Sequence, residues 1–356
     1  MIKASAPGKI LWLGGYAVLE RPNISLVTAV NARVHAHIQK FKEDYLEIPQ
    51  FNINESITAL SEDKKNSAKF VLAALSSVNS YIKAKDISIE HVKISTVSDP
   101  AFSVEGGKSG LGSSAAVTVA TVAALLCFYG FKDRELVHKL AQYSHALAQG
   151  KIGSGFDIAA ATYGTIQYTR YSPSIISMDE KDITKIIDKN WDYEIKPIEW
   201  PSELRIITGN FIGESASTTT MVKKVMDYKK NNPEEYSEII REIDNADRKA
   251  IDALKRKNYK EFAFYFNESR LLTKKLGEKS GAEIEPPKAT TLIEKILKEG
   301  GALAAKLPGA GGGDSICVIC SDSESERKTK EILQKENNIR VLRDLKIENK
   351  GLVYPS

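Results

Sequence analysis

The run Lys108-Ser109-Gly110-Leu111-Gly112-Ser113-Ser114-Ala115-Ala116 leads straight into the apolar stretch Val117–Tyr129, and it constrains this chain more than any other segment. A loop of glycines and serines that opens a helix leaves backbone N–H groups unpaired. It also sets the positive end of the helix dipole behind them, a natural seat for phosphate oxygens. Ser113 or Ser114 is placed either to cap the helix or to turn a hydroxyl toward a metal ion. The spacing is not Gly-x-x-x-x-Gly-Lys-Ser/Thr, so no Walker-type loop is implied. Nor is it Gly-x-Gly-x-x-Gly, so a dinucleotide fold and hydride transfer are disfavoured.

Three further segments carry the same kind of chemistry. Near the start, Ala6-Pro7-Gly8-Lys9 holds a lysine on a tight turn, where its ammonium can meet a developing negative charge. In Gln149-Gly150-Lys151-Ile152-Gly153-Ser154-Gly155-Phe156-Asp157, small residues bring backbone close to a ligand, with Lys151 and Ser154 as ligand groups. Asp157 there reads equally well as a functional carboxylate or as a helix N-cap. Finally, Lys306-Leu307-Pro308-Gly309-Ala310-Gly311-Gly312-Gly313-Asp314 is a glycine loop entering a strand, suited to backbone that passes close to a ligand or to the first loop.

A chain of 356 residues suggests roughly two domains, and its 42% hydrophobic and 27% charged content suits a soluble globular protein. The 50 basic and 46 acidic residues leave a net charge of +4, too small and too evenly spread to argue for nucleic acid. The start, Met1–Lys9, resembles no secretory signal, and no apolar run is long enough to span a bilayer. Cys127, Cys317 and Cys320 are too few and too odd in number for a disulfide framework. Cys317 and Cys320 lie three apart on an expected strand, hence on opposite faces, and cannot share a metal. A cytoplasmic location is the expectation.

Short alternating runs predict strands at Ile10–Leu13, Ser25–Ala29 and Val34–Gln39 with turns between, and again at Gly164–Arg170, Leu204–Thr208 and Ser315–Cys320. Helical spacing is seen over Asn66–Ser80, Ser113–Tyr129, Asp133–Gln149, Met221–Lys230, Pro233–Lys257, Tyr259–Leu276 and Ala289–Glu299. Tyr171–Asn190 reads as a surface excursion. Interleaved strands and helices in both halves argue for α/β or α+β layers.

Pro-Gly-Lys near the N-terminus, Gly-Leu-Gly-Ser-Ser-Ala in the middle and Gly-Ala-Gly-Gly-Gly-Asp near the C-terminus, in that order, resemble the three signature motifs of the GHMP kinase superfamily. The resemblance runs from Ala4 to roughly Ser321. Within the superfamily, Asp314, Gly14-Gly15-Tyr16-Ala17-Val18-Leu19, Ser215-Ala216-Ser217-Thr218 and Glu283-Ile284-Glu285-Pro286-Pro287 look like the eukaryotic-type phosphomevalonate kinase branch. One departure concerns the metal: where mevalonate kinases offer a glutamate to magnesium, this chain reads His145-Ala146-Leu147-Ala148-Gln149.

The resemblance implies an α+β, two-domain GHMP kinase fold. Residues 1–190 would form a ribosomal-S5-domain-2-like mixed sheet with helices, and residues 191–356 a ferredoxin-like α/β domain. It implies ATP and Mg²⁺, with Gly110, Leu111, Gly112, Ser113, Ser114 and Ala115 around the nucleotide phosphates and Ser114 at the metal. Lys9, Lys108 and Asp157 would be catalytic. Lys9, Lys151, Ser154, Ser217, Thr218, Gly311 and Gly312 would hold the acceptor. The implied activity is phosphorylation of 5-phosphomevalonate by a monomer or homodimer, with mevalonate kinase or a non-catalytic ligand-binding role as alternatives. Arg33 and His35, on an early strand, read either as structural or as assisting the acceptor side, and Asp99–Glu105 as a regional guess for the adenine pocket.

Overall fold

The computed structural model describes residues 1–104, 107–213, 218–313 and 315–354. Its first sheet is built on a long antiparallel pair, β1 (Ile2–Leu13) and β2 (Ser25–Lys40). The turn expected between residues 29 and 34 does not form. Val30, Ala32, Val34, Ala36 and Ile38 are all buried while Asn31 is exposed, so alternation carries β2 straight through, and a register shift between Pro7 and Lys9 absorbs the mismatch.

The chain then adds β3 (Tyr45–Ile48), β4 (Ile53–Ser56), α1 (Glu62–Ala84), β5 (Val92–Ser98) and a small hairpin of β6 (Ser103–Val104) and β7 (Gly107–Lys108). Next come α2 (Ser113–Phe128), α3 (Arg134–Gln149), α4 (Phe156–Tyr163), β8 (Ile166–Thr169), α5 (Thr184–Ile187) and β9 (Glu194–Pro197). The main sheet runs β4-β3-β5-β2-β8-β9, with β1 against β2. From Ala115 to Leu126 every residue of α2 except Val117 is buried, as an all-round apolar helix requires. It lies against β1 and β2 with α1 and α3 packed beside it. The expected surface excursion at 171–190 is instead partly core: Tyr171, Ile176, Ile183, Ile186 and Ile187 all pack into the main cluster. Their spacing is irregular because the segment folds over α1 and α3 without a helix or strand long enough to impose a period.

A second, antiparallel sheet has the order β11-β12-β10-β13, from β10 (Arg205–Phe211), β11 (Ala304–Lys306), β12 (Ser315–Cys320) and β13 (Ile339–Val341). Around it lie α6 (Thr218–Asn231), α7 (Pro233–Lys255), α8 (Tyr259–Ser280), α9 (Pro287–Lys298) and α10 (Ser323–Gln334). The tail returns to the first sheet, where β14 (Ile347–Glu348) pairs with β2 and Val353 bridges Ser5.

The two sheets share a core in which Trp12 of β1 stacks on Trp200 with ring centroids 6.0 Å apart, beside Phe266, Cys317 and Ile319. Cys317 faces this shared core and Cys320 faces the opposite layer with Ile293 and Ile296, so the two thiols part as strand alternation requires. Among the described residues no helix is long and apolar enough to cross a membrane.

Candidate active site

Gly112 is the N-cap of α2 and holds φ at +76°, a conformation that costs any residue with a Cβ roughly 1–2 kcal/mol. A Cβ there would also stand 2.9 Å from Lys9 Cε. Neither serine caps the helix, since no side-chain cap bond forms and Ser113 is already its first residue. Glycine takes the cap because the backbone must turn through the left-handed region at that point. The first intrahelical bond runs from Ala116 N to the Gly112 carbonyl, and the amides of Ser113, Ser114 and Ala115 have no partner among the described residues. Ser114 Oγ lies 3.2 Å from His145 Nε2.

Lys9 reaches this loop twice from β1. Its backbone N–H donates to the Leu111 carbonyl at 2.8 Å, and its Nζ donates to the Gly110 carbonyl at 3.0 Å. Loss of hydration lowers its pKa, the nearby Asp157 charge works against that, and the ammonium also sits 5.6 Å from the Phe156 ring centroid.

Asp157 stands in the first turn of α4, after Gly155 as N-cap. Its Oδ1 accepts the Ile158 N–H at 3.0 Å and its Oδ2 lies 4.0 Å from His145 Nε2. Among the described residues no carboxylate lies within 4.0 Å of Lys9 Nζ, so Asp157 acts on Lys9 through its field rather than through contact.

His145 was not singled out as a functional residue, yet it joins Ser114 to Asp157. Its ring stacks on Phe70 of α1 with centroids 5.1 Å apart, and burial lowers its pKa, favouring neutral imidazole. Gln149 Nε2, one turn on, lies 3.4 Å from the same nitrogen. The sequence sets the run 145–149 where mevalonate kinases offer a glutamate to magnesium, but neither that nor the i, i+4 pair points to residue 114 or 157.

The segment 149–157 is held from beneath by its carbonyls. Arg170 donates to Gly153 at 2.9 Å, Tyr168 OH to Ser154 at 3.1 Å, and Gln142 Nε2 to Gly155 at 2.8 Å. Lys151 is exposed and Ser154 half-buried above these anchors.

At the other glycine loop, Gly311 and Gly312 are buried. Gly312 N donates to the Ile284 carbonyl at 3.0 Å and Tyr16 OH donates to the Ala310 carbonyl at 3.1 Å. Just beyond the loop, Ser315 Oγ lies 3.0 Å from the point a Cβ on Gly110 would occupy. The start of β12, which follows the third glycine loop, therefore stands beside Gly110 of the phosphate loop. Thr218 opens α6 and is exposed. Ser217, Asp314 and the side chain of Lys108 lie outside the described residues.

Arg33 is structural: it donates to Ser5 Oγ and to the Ser5 and Gly351 carbonyls, and it pairs with Glu348 at 2.8 Å. His35 Nε2 lies 3.3 Å from Asp99 Oδ1. Among the described residues no group of three or more His, Cys, Asp or Glu side chains could hold a metal. The Ser114 hydroxyl at the head of α2 suits a hard cation that keeps most of its waters and takes its remaining ligands from phosphates.

Two family models match the chain: the GHMP kinases N terminal domain over residues 91–165 and the GHMP kinases C terminal over residues 250–339. The phosphomevalonate kinase of Saccharolobus solfataricus is 33% identical over 92% of this chain and 93% of its own length. Among solved structures, the Lin0012 protein of Listeria innocua superposes with a TM-score of 0.85 at 25% identity, covering 98% of this chain and 99% of that one. The Streptococcus pneumoniae phosphomevalonate kinase in complex with phosphomevalonate and AMPPNP superposes with a TM-score of 0.82 at 20% identity, covering 98% of this chain and all (100%) of the other. The fold and this kinship agree, and the chain belongs to the phosphomevalonate kinase family of the GHMP kinases.

Proposed function

We propose that the chain transfers the γ-phosphoryl group of ATP to the phosphate of 5-phosphomevalonate, releasing ADP and 5-diphosphomevalonate. The observation that carries this reading is that Lys9 stands against the loop at the head of α2, where three helix amides have no partner among the described residues and Ser315, just past the third glycine loop, lies beside Gly110. The kinship with a phosphomevalonate kinase at 33% identity supports the choice of acceptor.

A phosphomonoester has a second pKa of about 6, so near neutral pH its attacking oxygen is already ionised and a general base gains little. That oxygen bonds to the γ-phosphorus as the bond to the bridging oxygen of the β-phosphate breaks. The obstacle is the meeting of two polyanions: unit like charges at about 4 Å repel by roughly 4 kcal/mol at an effective dielectric near 20. In this reading the amides of Ser113, Ser114 and Ala115 cradle the donor phosphates. Lys9 and Lys108 bridge donor and acceptor, and Lys151, Ser154, Ser217, Thr218, Gly311 and Gly312 line the acceptor side. Mg²⁺, held by the Ser114 hydroxyl, would neutralise charge on the nucleotide phosphates. Asp157 orients these charges and takes no proton. The same reading divides the chain near residue 190 into a nucleotide-binding half, which β9 and the returning tail complete, and a half that supplies the third loop.

The purified chain, incubated with ATP and either 5-phosphomevalonate or mevalonate, tests the acceptor. Phosphorus NMR should show a new pyrophosphate linkage with the phosphorylated acceptor and no product from mevalonate. Turnover of mevalonate alone would assign the alcohol kinase activity instead, and no turnover with either would leave a ligand-binding role.

A further inference from the structure

The ion pair Arg270–Glu285 lies outside the site described above, and no step of the transfer uses it. On α8, Arg270 meets the carboxylate in a two-pronged fork, with Nε donating to Oε2 at 2.7 Å and Nη2 to Oε1 at 2.6 Å. Both side chains are only 5% exposed. Thr290 Oγ1 adds a bond to Oε1 at 2.9 Å, and Arg270 Nη1 turns to Asn267 Oδ1 at 3.1 Å. A buried pair of this kind often stabilises a fold no better than apolar side chains would, so its use here argues for placement rather than strength.

What it places is the preceding residue. The Ile284 carbonyl accepts the Gly312 N–H at 3.0 Å. That same oxygen stands 2.1 Å from where a Cβ on Gly311 would lie, at a backbone φ of +82°. Gly311 and Gly312 thus rest on one carbonyl, a single peptide link from the forked carboxylate. Beyond Glu285, Pro286 and Pro287 open α9 and hold the backbone from the other side.

We propose that the Arg270–Glu285 fork is a positioning device for the reaction, fixing through the Ile284 carbonyl where residues 309–313 stand beside the phosphate loop. This role rests on the kinase reading given above. Lysine at 270 keeps the charge but cannot form the planar fork, so Glu285 gains freedom to shift and Ile284 shifts with it.

The test compares Arg270→Lys, Gly311→Ala and the double variant by kcat, by KM for ATP and 5-phosphomevalonate, and by hydrogen–deuterium exchange of the peptide spanning residues 309–313. Arg270→Lys should speed exchange of that peptide severalfold and cut kcat about tenfold, with each KM changed less than threefold, because a small misplacement of a reacting group costs mainly rate. The losses in the double variant should be smaller than the product of the single losses, since both act at one contact. Unchanged exchange, unchanged kcat per folded molecule, or losses that simply multiply would each overturn the role. If Arg270→Lys does not fold, Thr290→Val, which removes one bond to Glu285, is measured in the same way. A wild-type chain that turns over no 5-phosphomevalonate would overturn the kinase reading and the catalytic role with it, whereas an active wild type with unmoved exchange in the variant would overturn the fork alone.

Discussion

Replacing Gly112 by alanine separates backbone strain from damage to the site, provided Gly130→Ala is measured beside it. Both glycines hold left-handed backbone, φ +76° and +88°. Each alanine should therefore destabilise the fold by roughly 1–2 kcal/mol, lowering Tm by a few degrees. Their surroundings differ. A Cβ on Gly130 meets nothing within 4 Å, whereas one on Gly112 stands 2.9 Å from Lys9 Cε and 3.2 Å from its Cγ. The lysine arm is flexible and can yield, but yielding draws its ammonium away from the Gly110 carbonyl, now 3.0 Å distant. A shift of about 1 Å in a reacting charge costs up to ~100-fold in rate. Gly112→Ala should therefore lose about 10- to 100-fold in kcat/KM, equal to ~1.4–2.7 kcal/mol of transition-state stabilisation, while Gly130→Ala keeps its activity. Coupled ADP release and thermal melts on both variants provide the measurement. Equal stability losses with equal, undiminished kcat/KM would refute the claim that the cap glycine exists to give Lys9 room.

Two other outcomes follow from the geometry. Tyr16→Phe removes the 3.1 Å bond to the Ala310 carbonyl, and it should lower kcat about three- to tenfold while chemical denaturation shows a stability loss of no more than about 1.5 kcal/mol. Asp247, fully buried on α7 and bonded to Ser269 at 2.6 Å, has its pKa raised from 3.8 to about 7, chiefly by burial. Between those values the folded chain binds the proton that the unfolded chain has released, so stability falls as pH rises through that window and stays low above it. Asp247→Asn cannot ionise. It should come nearest the wild type in urea denaturation below about pH 4 and gain on it through pH 7, exceeding it at pH 8 by at most about 4 kcal/mol, and an advantage that does not grow with pH would contradict the assignment.

The parts of the molecule readable from sequence are those set by local chemistry. The loop before α2, the glycine run before β12 and the long amphipathic helices α7 and α8 announce themselves through composition and period. The continuity of β2 is hidden by Asn31, a residue that favours turns, yet Asn31 and Arg33 lie on the face of an alternating strand opposite Ala32 and Val34. The buried isoleucines of 171–190 follow no period, so only the shape of the neighbouring helices shows that they are core. His145 and the Ile284 carbonyl escaped for a different reason: each acts on residues far away in sequence, Ser114 for one and Gly312 for the other. The same distance hid that, among the described residues, Lys9 and Asp157, both catalytic by the resemblance, are linked by charge and not by contact.

In the proposed reaction lysine charge, rather than proton abstraction, drives the transfer, and two variants separate these roles. Lys9→Met and Asp157→Asn are each purified, shown by circular dichroism and thermal melting to be folded, and assayed for kcat with saturating ATP and 5-phosphomevalonate. The account predicts a loss of roughly 100-fold or more for Lys9→Met, in line with removing a charge aimed at the transition state, and a loss within about tenfold for Asp157→Asn. Near-total and equal losses in both folded variants would contradict it, because they would make the carboxylate as indispensable as the ammonium.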